Sequence, residues 1–132
     1  YDLDNDGIAN SDIIVETGCY QNETIEFLAD NTGISRSTSF LDIEAIVTTG
    51  STNELEYVID CVDEIFNSNF TWSQNGSAVS ITDTGVTITG TLDGNTIVLV
   101  IPAGFSIEAF DSSGNGALIT VTENVTVTYT KQ

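Results

Sequence analysis

The sequence predicts an all-β protein, an antiparallel meander of about eight or nine strands forming a small barrel or curved sandwich. Three observations carry this. Ile119, Val121, Val125, Val127 and Tyr129 alternate with Thr120, Thr122, Asn124, Thr126, Thr128 and Thr130, and only Glu123 breaks the apolar side. Asn75-Gly76 and Asp93-Gly94 supply the positive φ that tight hairpins need. Hydrophobic residues make up 40% of the 132 positions, enough for one core despite a formal charge of −18. A threonine face opposite an apolar face is the pattern of a sheet with one wet side and one buried side.

The elements follow in order, within a single domain spanning 1–132. Residues 1–16 are expected to form an acidic N-terminal loop and the first strand. Thr24–Ala29 reads as a strand ending in the turn Asp30-Asn31-Thr32-Gly33. Ile34–Val47 begins polar and ends apolar. Asn53–Phe66 supports two readings: Leu55, Val58, Ile59, Val62 and Phe66 fit a helical stripe, and Glu54–Cys61 also alternates. The strand is taken, because strands flank it on both sides. Ser77–Asp83, Val86–Leu92, Thr96–Ile101 and Phe105–Phe110 complete the meander, punctuated by Asp83-Thr84-Gly85 and Ser113-Gly114-Asn115-Gly116. Pro102 is expected just past an apolar strand, where a missing amide does least harm.

Composition excludes most chemistry. Twenty carboxylates face only Arg36 and Lys131, and histidine is absent. Without imidazole there is no neutral-pH proton shuttle, no Ser-His-Asp triad and no common zinc ligand set. Two cations make no clamp for phosphate, nucleic acid or anionic lipid. The longest apolar run, Ile97–Ile101, is too short to cross a bilayer. No signal peptide is present and the chain begins at Tyr1, so a mature or trimmed product is expected. Cys19 and Cys61 read either as two buried thiols or as one disulfide; the acidic, Thr/Ser-rich, Met-free composition favours the disulfide and an extracellular or cell-surface setting.

Few segments offer a site. Asp2-Leu3-Asp4-Asn5-Asp6-Gly7 spaces carboxylates as a Ca²⁺ loop does, resembling dockerin and thrombospondin type 3 loops, but its twelfth position is Ile13. The closing ligand then falls to Asp12 or Glu16, and the expected metal set is Asp2, Asp4, Asp6 and Asp12. Glu54/Glu56 and Glu23/Glu26 are the nearest carboxylate pairs for glycosidic chemistry, and both alternate with apolar residues as a solvated strand face does. Cys19 has no base beside it in sequence to make it a nucleophile. Trp72, before the Asn75-Gly76 hairpin, reads as a core plug or a stacking platform. No catalytic residue is assigned.

Two stretches resemble the lipocalin-like domains of secreted and lipid-anchored Bacteroidota proteins. The first comprises Asp2–Gly7, Glu16-Thr17-Gly18-Cys19, Thr24-Ile25-Glu26-Phe27 and the Asp30–Gly33 turn. The second comprises Cys61, Phe70-Thr71-Trp72-Ser73, Gly76–Ile81, Gly90–Thr96 and Val127–Lys131. The resemblance implies an antiparallel barrel or strongly curved sheet with Cys19 and Cys61 as its disulfide, and it treats the acidic loop as a connection between strands. It also implies an opening Gly-Thr-Trp strand, which nothing before Tyr1 supplies, leaving a barrel unclosed along a hydrophobic groove. Two functions follow as expectations. One is a non-enzymatic surface subunit, a filament or adhesin, joined to copies of itself by strand complementation and steadied by Ca²⁺. The other is a binder of a small apolar ligand, with Phe27, Phe70, Trp72 and Tyr129 lining the barrel. Neither involves nucleic acid or membrane insertion.

Overall fold

A computed structural model describes residues 1–48, 50, 54–111 and 119–132. The protein is all-β, with strands β1 (Thr24–Phe27), β2 (Thr32–Val47), β3 (Leu55–Asn75), β4 (Ala78–Asp83), β5 (Val86–Asp93), β6 (Thr96–Asp111) and β7 (Ile119–Thr130), plus one short helix, α1 (Ile13–Thr17). The strands are hydrogen-bonded in sequence order, and β2 also pairs with β6. Five strands, β2 to β6, thereby close into a barrel, with β1 and β7 added at the ends of the order. The closing pair is parallel, Ala45 opposite Ala109. That direction is forced: in a meander with an odd number of strands, the first and last run the same way.

Closure corrects the expectation of an open barrel, because β2 reaches β6 without a further strand. The strand count is also lower than expected, because neighbouring segments fuse. Of the Asn53–Phe66 stretch, Leu55–Phe66 belongs to the same strand as the Phe70–Trp72 segment, β3, and Asn53 lies outside the described residues. The residues that mimicked a helical stripe arise from a slip of phase. Inward positions are odd at Leu55, Tyr57 and Ile59, then even at Ser68, Phe70 and Trp72, while Val58 and Phe66 stay exposed. Thr96–Ile101 and Phe105–Phe110 likewise join as β6, so Pro102 lies inside a strand, beside Ala103 at φ 52°. The Ser113–Gly116 turn lies outside the described residues.

The N-terminal segment departs most. Where a first strand was expected within 1–16, residues 13–17 form α1. Asp12 caps it, its carboxylate accepting from the amides of Ile14 and Val15, and Gly18 ends it at φ 72°, its N–H donating to Ile14 O. These caps outweigh the β-branched run Ile13-Ile14-Val15, which local propensity alone would make a strand.

The chain groups into two compact units, and β2, β3, β6 and β7 supply residues to both. The first comprises 1–21, 38–64 and 105–122. Its core is Leu3, Ala45, Val47, Tyr57, Ile107 and Ala109, with Leu41, Ile43, Leu55, Ile59, Phe105 and Ile119 against it. Tyr1 stacks on Phe105 at 5.7 Å and meets Tyr57 edge-on at 6.1 Å. The expected disulfide is present here, joining Cys19, which is fully buried, to Cys61. The second unit comprises 22–37, 65–104 and 123–132. Its core is Phe70, Val79, Ile81, Ile97 and Leu99, flanked by Ile25, Phe27, Trp72, Ile88, Leu92 and Tyr129.

Tight registers link the meander. Asn75 pairs with Ala78 across the Gly76-Ser77 turn, Asp83 with Val86, and Asp93 with Thr96. Gly76 and Gly94 hold positive φ at 63° and 57°, as the two turn dipeptides predicted.

Candidate functional sites

The acidic loop is held by its own amides. Asp2 Oδ2 accepts from Gly7 N–H, Asp4 Oδ1 from Asp6 N–H, and Asp6 Oδ1 from Ile8 N–H. Glu16, only 4% exposed, is the hub: one carboxylate oxygen accepts from Leu3 N–H and the other from Asn10 N–H. A buried carboxylate is stable only when its lone pairs are met, and these amides meet them. Among the described residues, Asp2, Asp4 and Glu16 form a set whose oxygens lie within 4.8 Å of one another. Asp2 Oδ1 is a buried oxygen with no hydrogen-bond partner.

The expected set of Asp2, Asp4, Asp6 and Asp12 is therefore not the one assembled. Asp2 and Asp4 come together with Glu16; Asp12 caps α1 instead, and Asp6 lies outside the cluster. Of the two closing carboxylates the sequence offered, the helix orients Glu16 inward and leaves Asp12 exposed at its start. Asp2, Asp4 and Glu16 are the residues that could hold a cation. Ca²⁺ takes six to eight oxygens, and most of those here already serve backbone amides.

Of the four aromatics expected around a ligand, Phe27, Phe70 and Trp72 pack together, and Tyr129 lies against the same core of the second unit. Phe27 meets Phe70 edge-on at 5.6 Å and Trp72 edge-on at 5.1 Å. The Trp72 indole N–H donates to Leu28 O and Thr32 O at 3.1 and 3.0 Å, and Trp72 N–H to Asn31 O. Both ends of Trp72 are thus committed to the β1–β2 turn. Burial pushes the Tyr129 hydroxyl above the ordinary phenol range, and the nearby Glu23 carboxylate adds to the shift. Tyr57, in the first unit, is raised for the same first reason.

A groove of about 560 Å³ opens in the second unit. Leu28, Gly33, Ile34 and Phe70 give its apolar lining, and Thr32, Thr71, Thr82, Thr84 and Asn69 its polar rim. Of the four expected lining aromatics it takes only Phe70. Gly33 was missed as a determinant, since a glycine next to a turn signal reads as part of the turn. It sits in β2 under the Phe70 ring, where an added Cβ would run into Cζ and Cε2 and lie 2.6 Å from Glu26 O.

The carboxylate pairs do not converge. Glu26 is bound to Arg36 at 3.0 Å in an exposed ion pair, and Glu23 accepts from the Ser37 hydroxyl. Glu54 and Glu56 are exposed. No helix among the described residues is long and apolar enough to cross a membrane. Comparison with models of known families, with curated proteins and with solved structures gave no match.

Proposed function

We propose that this chain is a non-enzymatic subunit of an extracellular or cell-surface assembly, a filament or adhesin, joined to copies of itself by β-strand addition. The observation that carries the reading is the end of the strand order. β7 is the last of seven strands, and no strand among the described residues pairs with its outer edge. Twelve residues long, it contains no proline, glycine or lysine, and its one charged residue is Glu123. Proteins that stay monomeric shorten, kink or charge such edges. The disulfide and the acidic composition support an oxidising exterior. Absence of histidine and the commitment of Glu26 to Arg36 and of Glu23 to Ser37 support a role without bond-making. A lipocalin-like ancestry remains part of this proposal, supported by the meander order and the Cys19–Cys61 bond.

Sedimentation equilibrium and negative-stain microscopy of the oxidised chain test it. Assemblies that grow with concentration are expected. Compact monomers at millimolar concentration refute it.

One observation favours a second reading. The groove over Gly33, Ile34 and Phe70 has the size of a small-molecule site. Under this reading it holds an apolar ligand, and quenching of Trp72 fluorescence on titration with fatty acids tests it. The proposal extends to the acidic loop, with a Ca²⁺ on Asp2, Asp4 and Glu16 completing the orphaned Asp2 oxygen.

A further inference from the structure

The outer face of the second unit carries a row of threonines that strand register places side by side. Thr71 of β3 lies opposite Thr82 of β4, and Thr82 opposite Thr87 of β5. Trp72 N–H donates to Asn31 O, so Thr32 of β2 is the neighbour of Thr71 and begins the row. The residues that alternate with them, Gly33, Phe70, Ile81 and Ile88, are buried or half-buried, which turns the four threonines outward. Four strands about 4.8 Å apart make the row about 14 Å long. Thr32, Thr71 and Thr82 line the groove described above, beside Ile34.

Solvation alone does not account for this row. In the first unit the exposed strand positions Asp42, Glu44, Asp60 and Glu108 are carboxylates, whereas the threonine row has no charged member. Its protons set what it can recognise. Thr32 Oγ1 donates to Asp30 Oδ1 at 2.6 Å, Thr71 Oγ1 to Thr82 O at 3.5 Å, and one of Thr82 and Thr87 to the other at 2.9 Å. One hydroxyl proton of the four is left over, while the oxygens keep lone pairs. The row therefore accepts more than it donates. An anion meets no cation among the described lining residues and has the Asp30 carboxylate beside Thr32 against it. A polyamine is drawn to the carboxylates of the first unit instead. What remains is an uncharged molecule rich in hydroxyl donors, with C–H faces for the threonine methyls and Ile34.

We propose that the groove binds a neutral oligosaccharide, laid across the strands along Thr32, Thr71, Thr82 and Thr87. This rests on the reading of the groove as a ligand site and goes beyond it, naming a hydroxyl-bearing ligand in place of a purely apolar one. The sugar hydroxyls donate to the threonine oxygens, and Asn69 at the rim offers both an amide donor and an acceptor. Phe70, the aromatic among the lining residues, is only 5% exposed, so no ring is presented for a sugar to stack on. Binding at one groove is accordingly weak, about millimolar. Copies held together in an assembly would add their grooves by avidity, as an adhesin requires.

Amide chemical shifts of the ¹⁵N-labelled chain, titrated with cellohexaose, maltohexaose and laminarihexaose, test this. At least one of the three should move the Thr32, Thr71 and Thr82 signals in a saturable way, while oligogalacturonate and spermine leave that row unmoved. Thr71→Val and Thr82→Val keep a β-branched strand residue and remove the hydroxyl, so each should weaken sugar binding about five- to tenfold with the melting temperature near that of the parent. Thr91→Val, exposed on β5 but off the row, should change nothing. Sugar binding that survives both row substitutions, or oligogalacturonate or spermine binding the row as tightly, overturns the inference. If decanol moves the groove signals and none of the three sugars does at tens of millimolar, the inference falls and the apolar-ligand reading stands. If neither sugar nor decanol binds, both fall.

Discussion

Gly33→Ala tests the packing of the second unit through the sign of its effect. Glycine inside a strand costs about 0.5–1 kcal/mol relative to alanine, because it loses more backbone entropy on folding. If nothing lay over Gly33, the substitution would therefore stabilise the protein. The structure requires the opposite. A Cβ at Gly33 would overlap Phe70 Cζ and Cε2 and fall 2.6 Å from Glu26 O. The ring is 5% exposed and wedged against Phe27, so it cannot turn aside freely, and Glu26 O belongs to the β1 backbone opposite Ile34. Overpacking of this kind costs about 1–3 kcal/mol. Thermal melting by circular dichroism should drop by roughly 4–12 °C, at about 4 °C per kcal/mol for a chain this long. In a Phe70→Leu background the ring obstacle is gone and the penalty should shrink by about 1 kcal/mol, since contacting residues couple. An unchanged or raised melting temperature for Gly33→Ala would show that the ring does not cover this glycine. Equal penalties in both backgrounds would place the whole clash on the β1 carbonyl.

Four further outcomes follow. Reducing the Cys19–Cys61 bond, which spans a sequence separation of 42, should lower unfolding free energy by about 4 kcal/mol in the chain-entropy account, read as a shift in urea midpoint. Trp72→Phe keeps the ring packing but deletes the donor to Leu28 O and Thr32 O, and should cost about 1–2 kcal/mol in the same assay. Tyr57 and Tyr129 are raised in the folded state, so the neutral phenols favour folding below about pH 10 and that contribution is lost as pH rises through their folded values. Absorbance at 295 nm should show two tyrosines ionising late, coincident with alkaline unfolding. If Ca²⁺ sits on Asp2, Asp4 and Glu16, adding a chelator should lower the melting temperature, and Glu16→Gln should abolish that response; an unmoved melting point removes the ion.

Much of the architecture was legible because a sheet writes its period directly into sequence. The alternation from Ile119 to Tyr129 and the turns at Asn75-Gly76 and Asp93-Gly94 are local signals, and the structure places a strand and two hairpins there. Boundaries failed where local signals conflicted with pairing. Pro102 looked like an end, yet β6 passes through it, with Ala103 at positive φ absorbing the distortion. Asn53–Phe66 looked part-helical because its inward face changes phase, a shift that composition does not announce. Barrel closure was illegible for a different reason. The contact of Ala45 with Ala109 joins residues far apart in the chain, with small side chains that carry no pairing preference.

The acidic loop shows the limit for sites. Alternate aspartates at 2, 4 and 6 present the spacing of cation ligands, but the same spacing suits a carboxylate that accepts the amide two residues on, as Asp4 does from Asp6 and Asp6 from Ile8. Sequence alone does not separate these uses, because both need a short acidic side chain beside a tight turn. What separates them is which carboxylate is taken out of water. The structure buries Glu16, which lies outside the repeat, and leaves Asp4 and Asp6 exposed. Glu16 reaches that position because Asp12 and Gly18 cap a helix just long enough to turn it inward, over the amides of Leu3 and Asn10. The loop's fold thus depends on one buried carboxylate, and a cation there would reinforce an arrangement that backbone donors already hold.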